Sequence, residues 1–302
     1  MKKKVGTLVR AQGKINLYLN VTAREENGYY TIESVMQSVS LCDRVTVSAA
    51  RGADEIRVAC NLPYVPCDGR NIAYQAARAF LDECGICAEV RISIDKRIPV
   101  AGGMAGGSAD AAAVLAGLNR VRGEPLGRER LHALAARLGA DVPFCLAGGT
   151  ALCTGRGEMI SPLESSLSLP LLIVPSRESV STPWAYAELD RAYGNFASPR
   201  GEDARLAALC RALEAGDAKA VAANLYNVFE DVILPQRKRA AQAKQCLTSC
   251  GALRAMMSGS GPTVFGLFES AAARDAAAHS LMKHGFRPKK AELSHRKTQN
   301  IH

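Results

Sequence analysis

A lysine, an asparagine, an aspartate and a run of glycines carry most of the chemical information in this chain. Gly102, Gly103, Gly106 and Gly107 fall within six positions of the segment Pro99-Val100-Ala101-Gly102-Gly103-Met104-Ala105-Gly106-Gly107-Ser108. Ahead of it, Val90-Arg91-Ile92-Ser93-Ile94-Asp95 alternates apolar and polar residues, the period of a half-buried strand. Behind it comes an alanine-rich run that reads as a helix. The first N–H groups of a helix have no internal partner, and the helix dipole adds partial positive charge there. Glycine removes the Cβ that would hold a phosphate away, and it accepts positive φ. Ser108 stands where a helix cap is expected. The loop therefore reads as an anion site, with a nucleotide polyphosphate as its expected ligand.

Two common phosphate loops do not fit. A Walker A loop needs a lysine next to its serine, and none is near Ser108. The spacing from Gly102 to Gly107 does not match the dinucleotide pattern G-x-G-x-x-G. A glycine cluster alone could equally be a hinge, so the other segments matter. Ser258-Gly259-Ser260-Gly261-Pro262-Thr263 reads as a tight turn running into a β-rich strand. In Gly13-Lys14-Ile15-Asn16-Leu17, the period of two puts Lys14 and Asn16 on one strand face. Leu138-Gly139-Ala140-Asp141-Val142-Pro143 places a carboxylate in a helix-ending turn. Taken singly, Asp141 suits a turn and Lys14 suits a strand edge. Only their joint pattern points to a reaction.

The elements that must position these groups alternate in kind. Strands are expected at 7–10, 15–21, 44–49, 55–59 and 89–94, and helices at 71–83, 108–121 and 128–138. A Pro/Ser-rich stretch at 161–170 marks a boundary, giving an N-terminal unit of residues 1–160 and a C-terminal unit of 161–302. In the second unit a strand is expected at 171–174 and helices at 184–193, 202–215, 218–224, 237–250 and 271–283. The pattern is that of two α+β domains with a cleft between them.

Composition narrows the class. The 302 residues include 48% hydrophobic ones, enough for a packed core. The net charge of +9 favours polyanionic substrates, and part of it sits in end clusters read as solvated tails: Lys2, Lys3, Lys4, Lys289, Lys290, Arg296 and Lys297. No aromatic interleaving marks a nucleic-acid platform. No apolar run reaches the length of about 20 residues that a membrane span needs. The ten cysteines are scattered, and Cys84-Gly85-Ile86-Cys87 has neither a second pair nor a nearby histidine to complete a metal site. A reduced, cytoplasmic setting is expected.

In their order along the chain these segments resemble the GHMP kinase superfamily of small-molecule kinases. The resemblance is carried by Lys14-Ile15-Asn16-Leu17, Gly28-Tyr29, Ser34-Val35-Met36-Gln37, Asp95-Lys96-Arg97-Ile98-Pro99 and the glycine loop. It continues through Gly139-Ala140-Asp141-Val142-Pro143-Phe144, Gly148-Gly149-Thr150-Ala151, Gly155-Arg156-Gly157-Glu158 and Ser258-Gly259-Ser260-Gly261. It implies the two-domain GHMP kinase fold, with an N-terminal domain like ribosomal protein S5 domain 2 and a ferredoxin-like C-terminal domain. Pro99, Gly102, Gly103, Met104, Ala105, Gly106, Gly107 and Ser108 would hold ATP, with Asn71 and Lys96 on the adenine side. Mg²⁺ would come with the nucleotide, and no metal would be held by protein ligands alone. Asp141 would take the proton of the acceptor hydroxyl, which Lys14 orients.

The most similar branch acts on a cytidine diphosphate-linked polyol in isoprenoid precursor biosynthesis. Asn16 would contact the polyol, Tyr29 and Tyr186 would flank the cytosine, and Tyr30 would meet the edge of the base. Ser258, Gly259, Ser260 and Gly261 would close the site. A monomer or weak homodimer with no nucleic-acid or membrane partner is expected. The chain departs from the pattern at Tyr30, where a histidine is usual, at Gly13 in place of alanine, and at Val228 after Asn227. A mevalonate, homoserine or sugar kinase, or a nucleotide-binding protein without catalysis, is the alternative.

Overall fold

Two long strands set the frame of the first half. β1 (Val5–Arg24) and β2 (Tyr30–Ala50) pair antiparallel along their length. β4 (Glu89–Asp95) pairs antiparallel with the far half of β2, and β3 (Glu55–Cys60) lies parallel beside β4. β5 (Thr150–Thr154) adds to the near half of β2 and carries β6 (Met159–Pro162). The computed structural model describes residues 5–176, 178–194 and 203–294.

The stretches expected as strands at 7–10 and 15–21 are one strand, and 44–49 is only the end of β2. The first part of β2 shows no clean alternation because it is buried on both sides. Polar Ser34, Gln37 and Ser38 are as buried there as Val35 and Met36. Helices α1 (Ile72–Cys84) and α2 (Gly106–Val121) pack against each other, and α2 lies on β1 and β2. Gly117 lets α2 approach closely, since a Cβ there would sit 3.0 Å from Val47. α3 (Arg128–Leu138) leads into the short α4 (Val142–Ala147), which the sequence reading left out.

A second sheet has the order β11-β7-β10-β9 and is antiparallel throughout: β7 (Pro170–Val174), β9 (Arg254–Met257), β10 (Val264–Leu267) and β11 (Lys289–Glu292). Its helices include α5 (Thr182–Tyr193), α6 (Asp203–Ala215), α7 (Ala218–Ala223), α8 (Glu230–Ile233), α9 (Lys238–Ser249) and α10 (Ala271–Lys283). The expected first residue of the helix at 202 lies outside the described residues.

Lys289 and Lys290 are not tail residues. They form the edge strand β11, where Lys290 lies 3.0 Å from the Asp275 carboxylate. The other end-cluster residues fall outside the described part. Two-residue β8 (Tyr226–Asn227) returns from the second half to pair parallel with β1 in the first sheet, and β6 runs across the boundary read at residue 160. No helix among the described residues is long and apolar enough to cross a membrane.

Candidate active site

The register of β1 against β2 shifts between Gln12 and Lys14 and again between Asn16 and Tyr18. These irregularities bracket the Lys14–Asn16 segment, and bulges of this kind re-aim side chains beside active sites. Lys14 and Asn16 are buried, and Lys14 Nζ donates to Asn16 Oδ1 at 2.7 Å. Asn16 is held in turn: its amide donates to Ser34 Oγ at 2.7 Å, and Ser34 Oγ donates to the Tyr18 carbonyl. The Lys14 backbone N–H donates to the carbonyl of Met104 inside the glycine loop, at 3.1 Å. The strand that bears the lysine is thereby tied to the loop.

Asp141 opens α4 and turns toward Lys14, with Nζ and Oδ2 3.9 Å apart. That separation is too long for a direct hydrogen bond. The carboxylate side chain is 32% exposed, so it keeps capacity for a further partner.

Lys14, Asn16 and Asp141 face a cavity of ≈ 620 Å³ together with Gly102, Gly103, Ala105, Gly106, Gly107 and Ser108. From the second half come Tyr186, Gly259, Ser260 and Gly261. The loop fits its partner turn backbone to backbone. A Cβ on Gly103, where φ is +74°, would lie 2.1 Å from the Ser258 carbonyl oxygen. Ser258 Oγ donates to the Gly103 carbonyl at 2.9 Å. Asn227 fixes the turn by donating to the carbonyls of Met257 and Gly259 at 2.7 and 2.9 Å.

The loop differs from its sequence reading in one respect. Helix α2 begins at Gly106, so Ser108 is its third residue and makes no cap. The N-cap is Ala105 in the left-handed region, and its side chain satisfies no backbone N–H. The first-turn donors are therefore left facing the cavity. Met104 is core rather than lining, and it contributes through its carbonyl.

Asn71, Lys96 and Pro99 line a smaller recess of ≈ 160 Å³, which shares Ala101, Gly106 and Gly107 with the main cavity. Both polar ends of Asn71 are committed. It caps α1 by accepting from Ala73 N, and it donates to the Pro66 carbonyl. Lys96 is buried between Asp43 and Asp110, with Nζ to Oδ2 distances of 2.5 and 2.8 Å. Burial pulls the ammonium down, but the two carboxylates outweigh it and raise Lys96 above the ordinary lysine value. Burial lifts the Asp110 carboxyl to about 7 against the pull of Lys96, and Asp43 adds to the rise. Asp43 Oδ1 also accepts from the N–H groups of Arg97 and Ile98, so this triad braces the chain just before the loop. Removing one member of such a cluster leaves an uncompensated buried charge, typically at a cost of about 3–5 kcal/mol.

The expected aromatic pair is not assembled. Tyr186 lines the cavity, but the ring stacked on it is Tyr30, at 4.4 Å between centroids and 23° between planes. Tyr30 is held there by its hydroxyl, which donates to Asp190 on α5. Burial, then the bond to Asp190, raise the Tyr30 phenol above its usual value, which keeps the donor proton in place. Tyr29 is 53% exposed, outside the cavity lining, and the Arg156 guanidinium lies 4.1 Å above its ring.

The sequence reading missed Asp43, Asp110, Ser34 and Asn227 as positioning residues. Asp43 and Asp110 sit in ordinary strand and helix text, and Ser34 was read only as part of the string Ser34-Val35-Met36-Gln37. Asn227 was noticed only as a departure from a pattern.

Lys14, Asn16 and Asp141 thus share one cavity with the glycine loop and with the 259–261 turn of the second half. The GHMP kinases N terminal domain model matches residues 71–149, and the GHMP kinases C terminal model matches 208–286. The chain belongs to the GHMP kinase family, for which ATP is the co-substrate. Over 264 residues it is 45% identical to a 4-diphosphocytidyl-2-C-methyl-D-erythritol kinase of Synechococcus sp. (strain JA-2-3B'a(2-13)), covering 86% of this chain and 84% of that one. It is 40% identical to the kinase of the same name from Clostridium botulinum (strain Eklund 17B / Type B), over 86% and 90% of the two chains. A crystal structure of 4-(cytidine 5'-diphospho)-2C-methyl-D-erythritol kinase superposes with a TM-score of 0.78 at 31% identity, covering 95% of this chain and 99% of that one. Within the family, the chain falls among the 4-diphosphocytidyl-2-C-methyl-D-erythritol kinases.

Proposed function

We propose that this protein transfers the γ-phosphoryl group of ATP to the 2-hydroxyl of 4-diphosphocytidyl-2-C-methyl-D-erythritol. One observation carries the reading. Lys14, Asn16 and Asp141 share a single cavity with the backbone donors of the glycine loop. Phosphoryl transfer asks for positioning and charge neutralisation more than for covalent chemistry. The N–H groups at the start of α2 receive the phosphates. Asp141 accepts the proton of the attacking hydroxyl, and Lys14, steadied by Asn16, orients that hydroxyl and offsets its developing negative charge. A positioned base contributes about 10²–10⁴-fold. The cytosine lies against Tyr186.

Among the described residues no group of three or more His, Cys, Asp or Glu could hold a metal ion. Hard oxygen donors among the described residues that line the cavity include the Asp141 carboxylate and the Ser108 hydroxyl. They suit Mg²⁺ arriving on the nucleotide, where it neutralises phosphate charge. The test is ATP turnover by the purified protein with a panel of acceptors: the cytidyl substrate, its uridine analogue, mevalonate and homoserine. The cytidyl substrate is expected to give the highest kcat/KM. Phosphorylation of mevalonate or homoserine with none of the cytidyl compound would overturn the assignment.

A further inference from the structure

In the turn between β5 and β6, Gly155-Arg156-Gly157-Glu158, the Arg156 side chain lines the main cavity. Among the described residues the other cationic side chain that does so is Lys14, which is engaged with Asn16 and Asp141. The turn is firmly built. Gly155 O accepts from Ile32 N at 2.7 Å, and Gly157 N donates to Thr154 O at 3.0 Å. Gly157 has a φ of +115°, which a residue with a side chain would resist.

The nearest carboxylate in sequence is diverted. Glu158 accepts from the backbone N–H of Arg156 at 2.8 Å and lies against Gly155, not against the guanidinium. Among the described residues no ion pair involves Arg156, and its guanidinium carbon lies 4.1 Å from the centroid of the Tyr29 ring. Neutral side chains line the same cavity, among them Ile32, Met36, Val180, Thr182 and Tyr186. A planar, permanently charged fork that is partly ordered before binding is the group best matched to a phosphate pair.

Resting on the function proposed above, we infer that Arg156 recognises the diphosphate of the acceptor and that Tyr29 positions it. The two phosphate-bearing ligands are then read by different means. The triphosphate meets backbone N–H groups of the loop, and the acceptor diphosphate meets one guanidinium braced on an aromatic face. Tyr29 acts through Arg156 and not by stacking on the base.

Steady-state kinetics of Arg156→Gln and Arg156→Lys test this, with ATP and the cytidyl acceptor varied separately. In Arg156→Gln the acceptor KM should rise about tenfold or more, with kcat and the ATP KM within about twofold of wild type. Arg156→Lys should recover part of the loss. The dependence of acceptor KM on salt should flatten in the glutamine variant, a change that loss of packing alone would not produce. Tyr29→Leu should raise the acceptor KM in wild type and add little in the Arg156→Gln background. An unchanged acceptor KM in Arg156→Gln, in a wild type that does phosphorylate the cytidyl acceptor, overturns this inference alone. If the wild type fails to phosphorylate that acceptor, the functional reading falls and this inference with it.

Discussion

The two halves of the cavity are built from different materials. The glycine loop presents backbone, and its shape comes from what is missing: a Cβ at Gly103 would strike Ser258, and one at Gly102 would lie 2.5 Å from Thr263 Oγ1. The half proposed for the acceptor presents side chains, most of them fixed by a partner distant in sequence. Asn16, which accepts from Lys14, is set by Ser34, Tyr30 by Asp190, and Tyr186 by Tyr30 and Phe229. A site made of backbone tolerates little change at the glycines and reads any polyphosphate. A site made of side chains can change its specificity one residue at a time.

The sharpest break in this comparison is expected at Asp141. Asp141→Asn should lower kcat by about 10²–10⁴-fold, the usual worth of a positioned base. ATP affinity should stay near wild type, because the side chain is not part of the loop. Rapid-quench and titration measurements on the same preparation separate the two quantities. A kcat near wild type would remove Asp141 from the reaction.

Next in size is Gly103→Ala. Left-handed strain costs about 1–3 kcal/mol at a residue with a side chain, which corresponds to about five- to 150-fold in an equilibrium. The clash with the Ser258 carbonyl adds to this, so ATP should bind at least tenfold more weakly. Thermal unfolding of the variant checks that the loss is local. Wild-type ATP affinity in this variant would show that the loop does not need its contact with the 258–261 turn.

The smallest effect is expected at Tyr30, on the acceptor half. Its hydroxyl is already given to Asp190, so it is a poor reader of a base edge. Tyr30→His frees a ring nitrogen within shorter reach of the backbone. Discrimination of the cytidine over the uridine form should rise by about two- to tenfold, the worth of one hydrogen bond. Equal kcat/KM ratios in the two variants would show that position 30 does not read the base.

The contrast between backbone and side chains also decided what could be read from the sequence. The loop, the 258–261 turn and the helix starting near residue 106 were legible because glycine spacing and period report local backbone. The Lys14–Asn16 face was legible for the same reason: alternation in a strand is local. Asp43 and Asp110 gave no signal, because their role exists only once Lys96 arrives between them from another element. The Tyr30–Tyr186 stack joins residues 156 positions apart in sequence, and no local pattern marks it. β8 escaped because two residues carry no period, although Asn227 holds the turn that closes the site. The Gly106 position was legible as glycine but not in its reason. It has no positive φ, and its constraint is steric, with Ile98 and Lys96 Nζ each 3.1 Å from a Cβ placed there.

A crossed titration tests the division of the cavity most directly. ATP and the cytidyl acceptor are each titrated into Gly106→Val, which alters the loop, and Tyr186→Leu, which removes the ring beneath the base, after both are checked by circular dichroism. Gly106→Val should weaken ATP about tenfold or more and leave the acceptor within about twofold. Tyr186→Leu should do the reverse, since stacking on a base is worth about 1–3 kcal/mol. If each folded variant weakened both ligands alike, the cavity would not be divided into a backbone half for ATP and a side-chain half for the acceptor.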